Sequence, residues 1–179
     1  MNDGLIPNRY ARALYKLALE NGDEQRVYGE MKALDRSYQE ASQLKKAVGN
    51  PFLPIDEKMS LLCSAASAAP DGSSAKFIRL VVEKKREDFL RAIARAFLKL
   101  YRESHGIARV EVVTAASLPQ SEVDKIVAMV SHKLGDKQLE LSTAVNPALI
   151  GGFVVNIDDK ELDASVKTQI DKLRLKLLS

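Results

Sequence analysis

The sequence predicts an α+β protein in which a helix-only half precedes a half that mixes strands with helices. Three observations predict it. The first hundred residues carry apolar side chains at helical spacing between short breakers, no strand signal precedes Gly106, and β-branched, partly alternating runs follow it. Helices segregated from strands in this way argue for two units meeting near Gly106, residues 1–105 and residues 106–179.

Each element has its own warrant. "PNRYARALYKLALENG" places Pro7 near a helix start and Asn21-Gly22 at its stop. "DEQRVYGEMKALDRSYQEA" spaces Val27, Met31, Leu34 and Tyr38 on one helical face, and "VGNPFLP" ends the pattern with a glycine and two prolines. "IDEKMSLLCSAASAA" resumes it before "PDGSS" breaks it again. "AKFIRLVVEKKREDFLRAIARAFLKLYRESHG" reads as two helices bent near Lys84-Lys85-Arg86. "IARVEVVTA" is a strand, and Pro119 opens a helix striped by Val123, Ile126, Val127, Val130 and Leu134. "QLELSTAV" and "GGFVVNI" are strands, "KELDA" is a short fourth, and "SVKTQIDKLRLKLL" is a helix with Val166, Ile170, Leu173 and Leu177 on one side.

Composition narrows the function classes. The 179 residues, 46% hydrophobic and 28% charged, are those of an ordinary globular protein. At this length folding buries about 70% of the unfolded surface, so a core needs neither disulfide nor metal. A net charge of +3 with interspersed signs is too weak to predict a nucleic-acid partner. The single Cys63 rules out a disulfide within one chain and fits a reducing compartment. No stretch reaches the roughly 18 apolar residues of a spanning helix. No basic-then-apolar leader precedes the first amphipathic segment, so an untargeted or already processed protein is expected.

The stretch "ALIGGFVVNIDDKELDASV" holds the strongest hints of chemistry: the pair Gly151-Gly152 and the acids Asp158, Asp159, Glu161 and Asp163. A phosphate cradle needs its glycines to open a helix whose N-terminal amides face the anion, whereas this pair leads into a strand with no lysine following. A bend where the backbone passes close to a neighbour is the better reading. An EF-hand loop starting at Asp158 would need glycine at its sixth position, which is Asp163. Asp158-Asp159 suits a turn, and Asp163 suits the N-terminus of the last helix. His105 and His132 form no ligand-spaced pair, and Cys63 lies on an apolar helical stripe as a small buried hydrophobe. No Gly-x-Ser-x-Gly elbow is present, so an enzyme is poorly supported.

Two helices are too apolar for one-sided burial. In the first, Tyr10, Ala13, Leu14 and Leu17 make one stripe while Ala11, Tyr15, Ala18 and Leu19 make another. In "KFIRLVVEK", Phe77, Leu80, Val81 and Lys84 compete with Ile78 and Val82 for the inward face. Helices buried all round in a bundle and helices bearing an open groove for a partner helix share this pattern.

Together these residues resemble the delta subunits of F-type ATP synthases, the family of the oligomycin-sensitivity-conferring protein, over the whole chain. "RYARALYKLA" is similar to the family's opening helix, and "FIRLVVEKKRE" with "IARAF" to its fifth and sixth helices. The most specific piece is "LELSTAVNPALIGGFVVNIDDKELDASVKTQIDKL", similar to the family's Asp-Pro-x-Leu-x-Gly-Gly-Phe and later Asp-Gly-Ser-Val. Asn146, Asn156, Asp158 and Ala164 stand where the family usually has aspartate, arginine, glycine and glycine, and the last two touch turn geometry.

The resemblance implies an N-terminal six-helix bundle followed by a small αβ domain, without catalytic residues, cofactor, metal or small-molecule substrate. It implies a stator that ties the catalytic head to the peripheral stalk, so the head stays still while the rotor turns. The bundle would hold the N-terminal helix of an alpha subunit between its first and fifth helices, at Tyr10, Ala13, Leu14, Leu17, Phe77, Leu80, Val81 and Lys84. The C-terminal domain would meet the ends of the stalk's b subunits, with Gly151, Gly152, Asp158 and Asp163 shaping a structural hairpin. A place on the cytoplasmic face of a bacterial membrane is expected, though a mature organellar chain on an inner or thylakoid membrane would look alike. The competing reading is an RNA-binding helical adaptor using Arg9, Arg12, Lys84, Lys85 and Arg86; a nucleotide-dependent enzyme ranks third. RNA affinity should collapse as ionic strength rises, while apolar groove binding should barely change.

Overall fold

A computed structural model describes residues 4–117, 119–135, 137–158 and 160–178. Asp159 lies outside the described residues, as do the side chains of His132, Leu134 and Leu177. The chain forms two compact units that divide between Tyr101 and Arg102.

The first unit is helical: α1 (Leu5–Asn21), α2 (Glu24–Glu40), α3 (Ser42–Val48), α4 (Ile55–Ala66), α5 (Ser73–Glu83) and α6 (Leu90–His105), whose last turn runs into the second unit. A short 3-10 turn, Glu87–Phe89, precedes α6. α3, at seven residues, is too short to show an apolar period in the sequence. Its Leu44 and Val48 are nevertheless buried.

Leu14, Met31, Leu34, Leu62, Ile78, Val81, Ile93 and Phe97 are fully enclosed in this unit. Each such side chain contributes about 1.5–3 kcal/mol of burial. The tie between α1 and α5 is polar. Asp23, at the start of α2, leaves its own helix uncapped and instead accepts hydrogen bonds from Ser73 Oγ at 2.9 Å and Ser73 N at 3.4 Å. Burial pushes its carboxyl up, but the Ser73 and Arg26 hydrogen bonds outweigh it and hold the group below its ordinary value. Asn21 Nδ2 donates to Ser73 Oγ at 2.9 Å, so the end of α1 sits against the start of α5. The two helices therefore run antiparallel, bringing the first turns of α1 beside the last turn of α5.

That last turn stops abruptly. Arg86 N donates to Val81 O at 3.0 Å and Lys85 N to Val82 O at 2.9 Å, with Lys85 in the left-handed region at φ 53°. This is the hydrogen-bond pattern with which helices commonly end, made here by lysine rather than glycine. Just beyond it, Glu87 Oε1 meets the buried Lys58 Nζ at 2.6 Å.

The second unit contains β1 (Ile107–Thr114), α7 (Gln120–Leu134), β2 (Gln138–Val145), a 3-10 turn Pro147–Leu149, β3 (Phe153–Ile157), β4 (Lys160–Asp163) and α8 (Val166–Leu178). The sheet order is β2-β1-β3-β4. β1 and β2 are parallel, as a helical crossover through α7 allows, and the other two pairings are antiparallel. Register places Val110 opposite Ile157 and Val112 opposite Val155. Val110, Val112 and Val155 form a core with Ile126 and Val130 of α7, against which Leu139, Phe153 and Ile157 also pack. β2 is an edge strand, and burial along it does not follow the alternation read from "QLELSTAV": Leu141 and Val145 are exposed, while Glu140 and Ala144 are half-buried. On α8, Ile170, Leu173 and Leu175 are exposed to 51%, 59% and 69%.

Candidate functional site

Between α1 and α5 lies a hollow of about 380 Å³ lined by Ile6, Arg9, Tyr10, Ala13, Leu80, Lys84 and Arg86. Ile6, Tyr10 and Ala13 fall at i, i+4 and i+7, one stripe on α1. Leu80 and Lys84 are one turn apart on α5 and its cap. Leu80, 44% exposed, is an apolar side chain left in water on an otherwise well-packed helix. Behind the lining, the Tyr10 ring meets the buried Phe77 edge-on at 6.2 Å, and the Arg86 guanidinium carbon stands 5.6 Å from the Tyr10 ring centre.

Four of the eight groove residues named from sequence line this hollow: Tyr10, Ala13, Leu80 and Lys84. Leu14, Phe77 and Val81 do not. They are 0%, 3% and 0% exposed, and belong to the bundle core. The reason is geometric. α1 buries Pro7, Ala11, Leu14 and Ala18, a row that cuts across both stripes read from its sequence. α5 turns Phe77, Ile78, Val81 and Val82 inward together, so the two sets are not alternatives. Leu17 is half-buried and lies outside the lining. Ile6, Arg9 and Arg86 were missed. Ile6 extends the α1 stripe by one turn and was legible; Arg86 follows the helix stop, where periodicity no longer carries.

Cys63 is half-buried rather than buried, and sits with Met59 and Arg79 in a second hollow of about 340 Å³. Burial, and then the charge of Glu30, push its thiol up, away from a reactive thiolate.

In the second unit, Gly151 and Gly152 pass against the segment that joins β4 to α8. Gly152 has φ +75°, and a Cβ there would collide with the carbonyl oxygen of Ala164 and lie 3.1 Å from Ser165 Cα. A Cβ on Gly151 would stand 3.1 Å from Val166 Cγ2. The approach is fixed by Val166 N donating to Gly151 O at 3.0 Å and Ala164 N donating to Phe153 O at 3.0 Å. Asp158, in the β3–β4 turn, takes φ 49° where the family usually has glycine. Its N–H donates to Arg109 O at 3.0 Å and its Oδ1 accepts from Arg109 N at 3.1 Å, so the carboxylate offsets the cost of the conformation. Asp163 accepts from Ser165 N at 2.7 Å and Thr168 Oγ1 at 2.6 Å, and Ser165 Oγ accepts from Thr168 N at 3.2 Å, which caps α8. Among the described residues no group of three or more His, Cys, Asp or Glu side chains converges on a common point.

A helical unit with an α1–α5 hollow, joined to a four-stranded unit with a glycine pair at a close backbone contact, is now in view. The family model of the ATP synthase delta (OSCP) subunit matches residues 6–177. The chain belongs to that family. The ATP synthase subunit delta of Parabacteroides distasonis is 36% identical, over 99% of this chain and 98% of its own. That of Bacteroides fragilis is 35% identical over 97% and 94%, and that of Prochlorococcus marinus 33% over 96% of each. A chain in the cryo-EM structure of the Toxoplasma gondii mitochondrial ATP synthase hexamer shares the fold, with a TM-score of 0.73 over 97% of both chains at 24% identity. As a delta (OSCP) subunit the chain is a structural component of the ATP synthase stator and not a catalytic one. No helix among the described residues is long and apolar enough to cross a membrane.

Proposed function

We propose that this delta subunit links the alpha subunits of the catalytic head to the b subunits of the peripheral stalk, so that the head does not rotate with the rotor during proton-driven ATP synthesis. Residues 1–105 hold the N-terminal helix of an alpha subunit, and residues 106–179 engage the C-terminal ends of the b subunits. The complex places the chain at the periphery of a membrane, on the cytoplasmic face if the source is bacterial.

The observation that carries the reading is the open hollow between α1 and α5. An amphipathic helix can lay its apolar stripe over Ile6, Tyr10, Ala13 and Leu80, which are otherwise wet. For the second unit, the exposed Ile170, Leu173 and Leu175 of α8 and the exposed Val145 and Leu141 of the edge strand are apolar surface that a stalk helix would cover.

Calorimetric titration with a synthetic peptide of the alpha N-terminal segment tests the groove. Leu80→Glu should weaken binding by setting a charge against apolar surface, and Ala13→Leu by overfilling the hollow. Both positions are exposed, so thermal unfolding should barely change. Variants that fold and bind normally would move the partner to another face.

A further inference from the structure

The hollow is not uniformly apolar. Arg9, Lys84 and Arg86 line it beside Ile6, Tyr10, Ala13 and Leu80. The nearest acid in sequence, Glu83, is engaged by Arg79 at 3.4 Å, away from the hollow. Among the described residues no carboxylate pairs with Arg9, Lys84 or Arg86, and Arg86 is spent only on the face of Tyr10. Three cations beside an apolar strip favour a partner that carries negative charge next to its apolar face.

We propose that the groove selects an amphipathic helix that bears carboxylates flanking its apolar stripe, and that these carboxylates lie over Arg9, Lys84 and Arg86. This deepens the groove reading and rests on it. The apolar stripe would hold the helix down, while the cations favour acidic flanks and reject basic ones. The expectation that groove binding barely responds to salt is thereby revised to a moderate response. It remains far from the collapse expected of a phosphate-binding protein.

The test uses the full chain and a synthetic peptide of about 20 residues, some 30 Å of helix, from the alpha N-terminus of the same organism. A second peptide carries glutamine and asparagine in place of its glutamates and aspartates. Three solvent-exposed pairs of ordinary strength together correspond to about a ten-fold difference in Kd. The native peptide should therefore bind about ten-fold more tightly than the amide peptide at about 0.01 M salt. The gap should close at about 1 M, where the screening length is about 3 Å. The double variant Arg9→Glu, Lys84→Glu, checked for folding by circular dichroism, should lose the preference or reverse it. Arg86 is left in place because of its contact with Tyr10.

Equal binding of the two peptides at low salt, or an alpha segment with no carboxylate beside its apolar stripe, would overturn the selection while leaving the groove reading standing. Failure of the native peptide to bind at any salt concentration would overturn both.

Discussion

Gly152 offers the sharpest test of the second unit. Replacing it with alanine adds one methyl group and forces two separate costs. An L-residue at φ +75° gives up about 1–2 kcal/mol in the left-handed region. The added Cβ would also collide with the Ala164 carbonyl oxygen and crowd Ser165 Cα at 3.1 Å, all backbone atoms that cannot rotate aside. Overfilling of this kind typically costs about 1–3 kcal/mol more. The sum is about 2–5 kcal/mol, and in a unit of this size about 1 kcal/mol lowers Tm by 4–8 °C. Gly106→Ala separates the two contributions, because Gly106 has φ +62° but nothing within 4 Å of its added Cβ. Calorimetry of the full chain, with hydrogen exchange at the β1 and β3 amides to assign the transition, should show a loss for Gly152→Ala well above that for Gly106→Ala. Equal losses would show that the close approach costs nothing. No loss in either would refute the reasoning altogether. Gly152→Val should be worse than alanine in the same assay, since a β-branched residue tolerates positive φ least.

Other consequences can be measured alongside. Glu87→Gln strands the buried Lys58 charge and should cost about 3–5 kcal/mol in chemical denaturation, localised to the first unit. Burial raises the Glu87 carboxyl, but its hydrogen bond to Lys58 and the nearby backbone and lysine charges hold it below its ordinary value of 4.5. Its folded-state pKa being depressed, the stabilisation is complete above the unfolded value and is lost as pH falls through the folded one. Wild-type stability should therefore drop more steeply below that value than the stability of Glu87→Gln. Asp163→Ala removes the acceptor for Ser165 N and Thr168 Oγ1 and should fray the first turn of α8 at a cost of about 1 kcal/mol, seen as faster amide exchange there.

The break between α5 and α6 was legible because three consecutive cations interrupt the apolar period at Lys84-Lys85-Arg86. The strands were legible because β-branched residues alternate there, and "QLELSTAV" coincides with β2. The groove was legible only in part. A helical period tells which side chains share a face, but not which face turns inward, and on α1 the buried row crosses both apparent stripes. Tyr10, Ala13 and Leu80 could be named because they lie on over-apolar helices. Separating them from Leu14, Phe77 and Val81 required the packing of neighbouring helices, which no local pattern contains. The close contact at Gly152 was readable as a possibility from the glycine pair. Its partner, the Ala164 carbonyl, becomes visible only once β3 and β4 are paired.

β1 is paired on both edges, with β2 on one side and β3 on the other, and only the β3–β4 hairpin forms a ladder without it. Its partners lie far along the chain: Val110 meets Leu141 across one loop and Ile157 across a longer one. The helical unit combines packing between successive helices, such as α4 with α5, with longer-range packing, such as α1 with α5, but all of it lies within residues made before β1. As the chain leaves the ribosome, the first unit can close early, while β1 keeps one edge open until β2 is made and the other until β3 is made. During that interval β1, with Val110 and the β-branched run Val112, Val113 and Thr114, is a segment prone to pair with another molecule. The order of the elements thus makes the second half of this stator subunit the slower to mature, and the half whose synthesis gains most from a chaperone or from early meeting with its stalk.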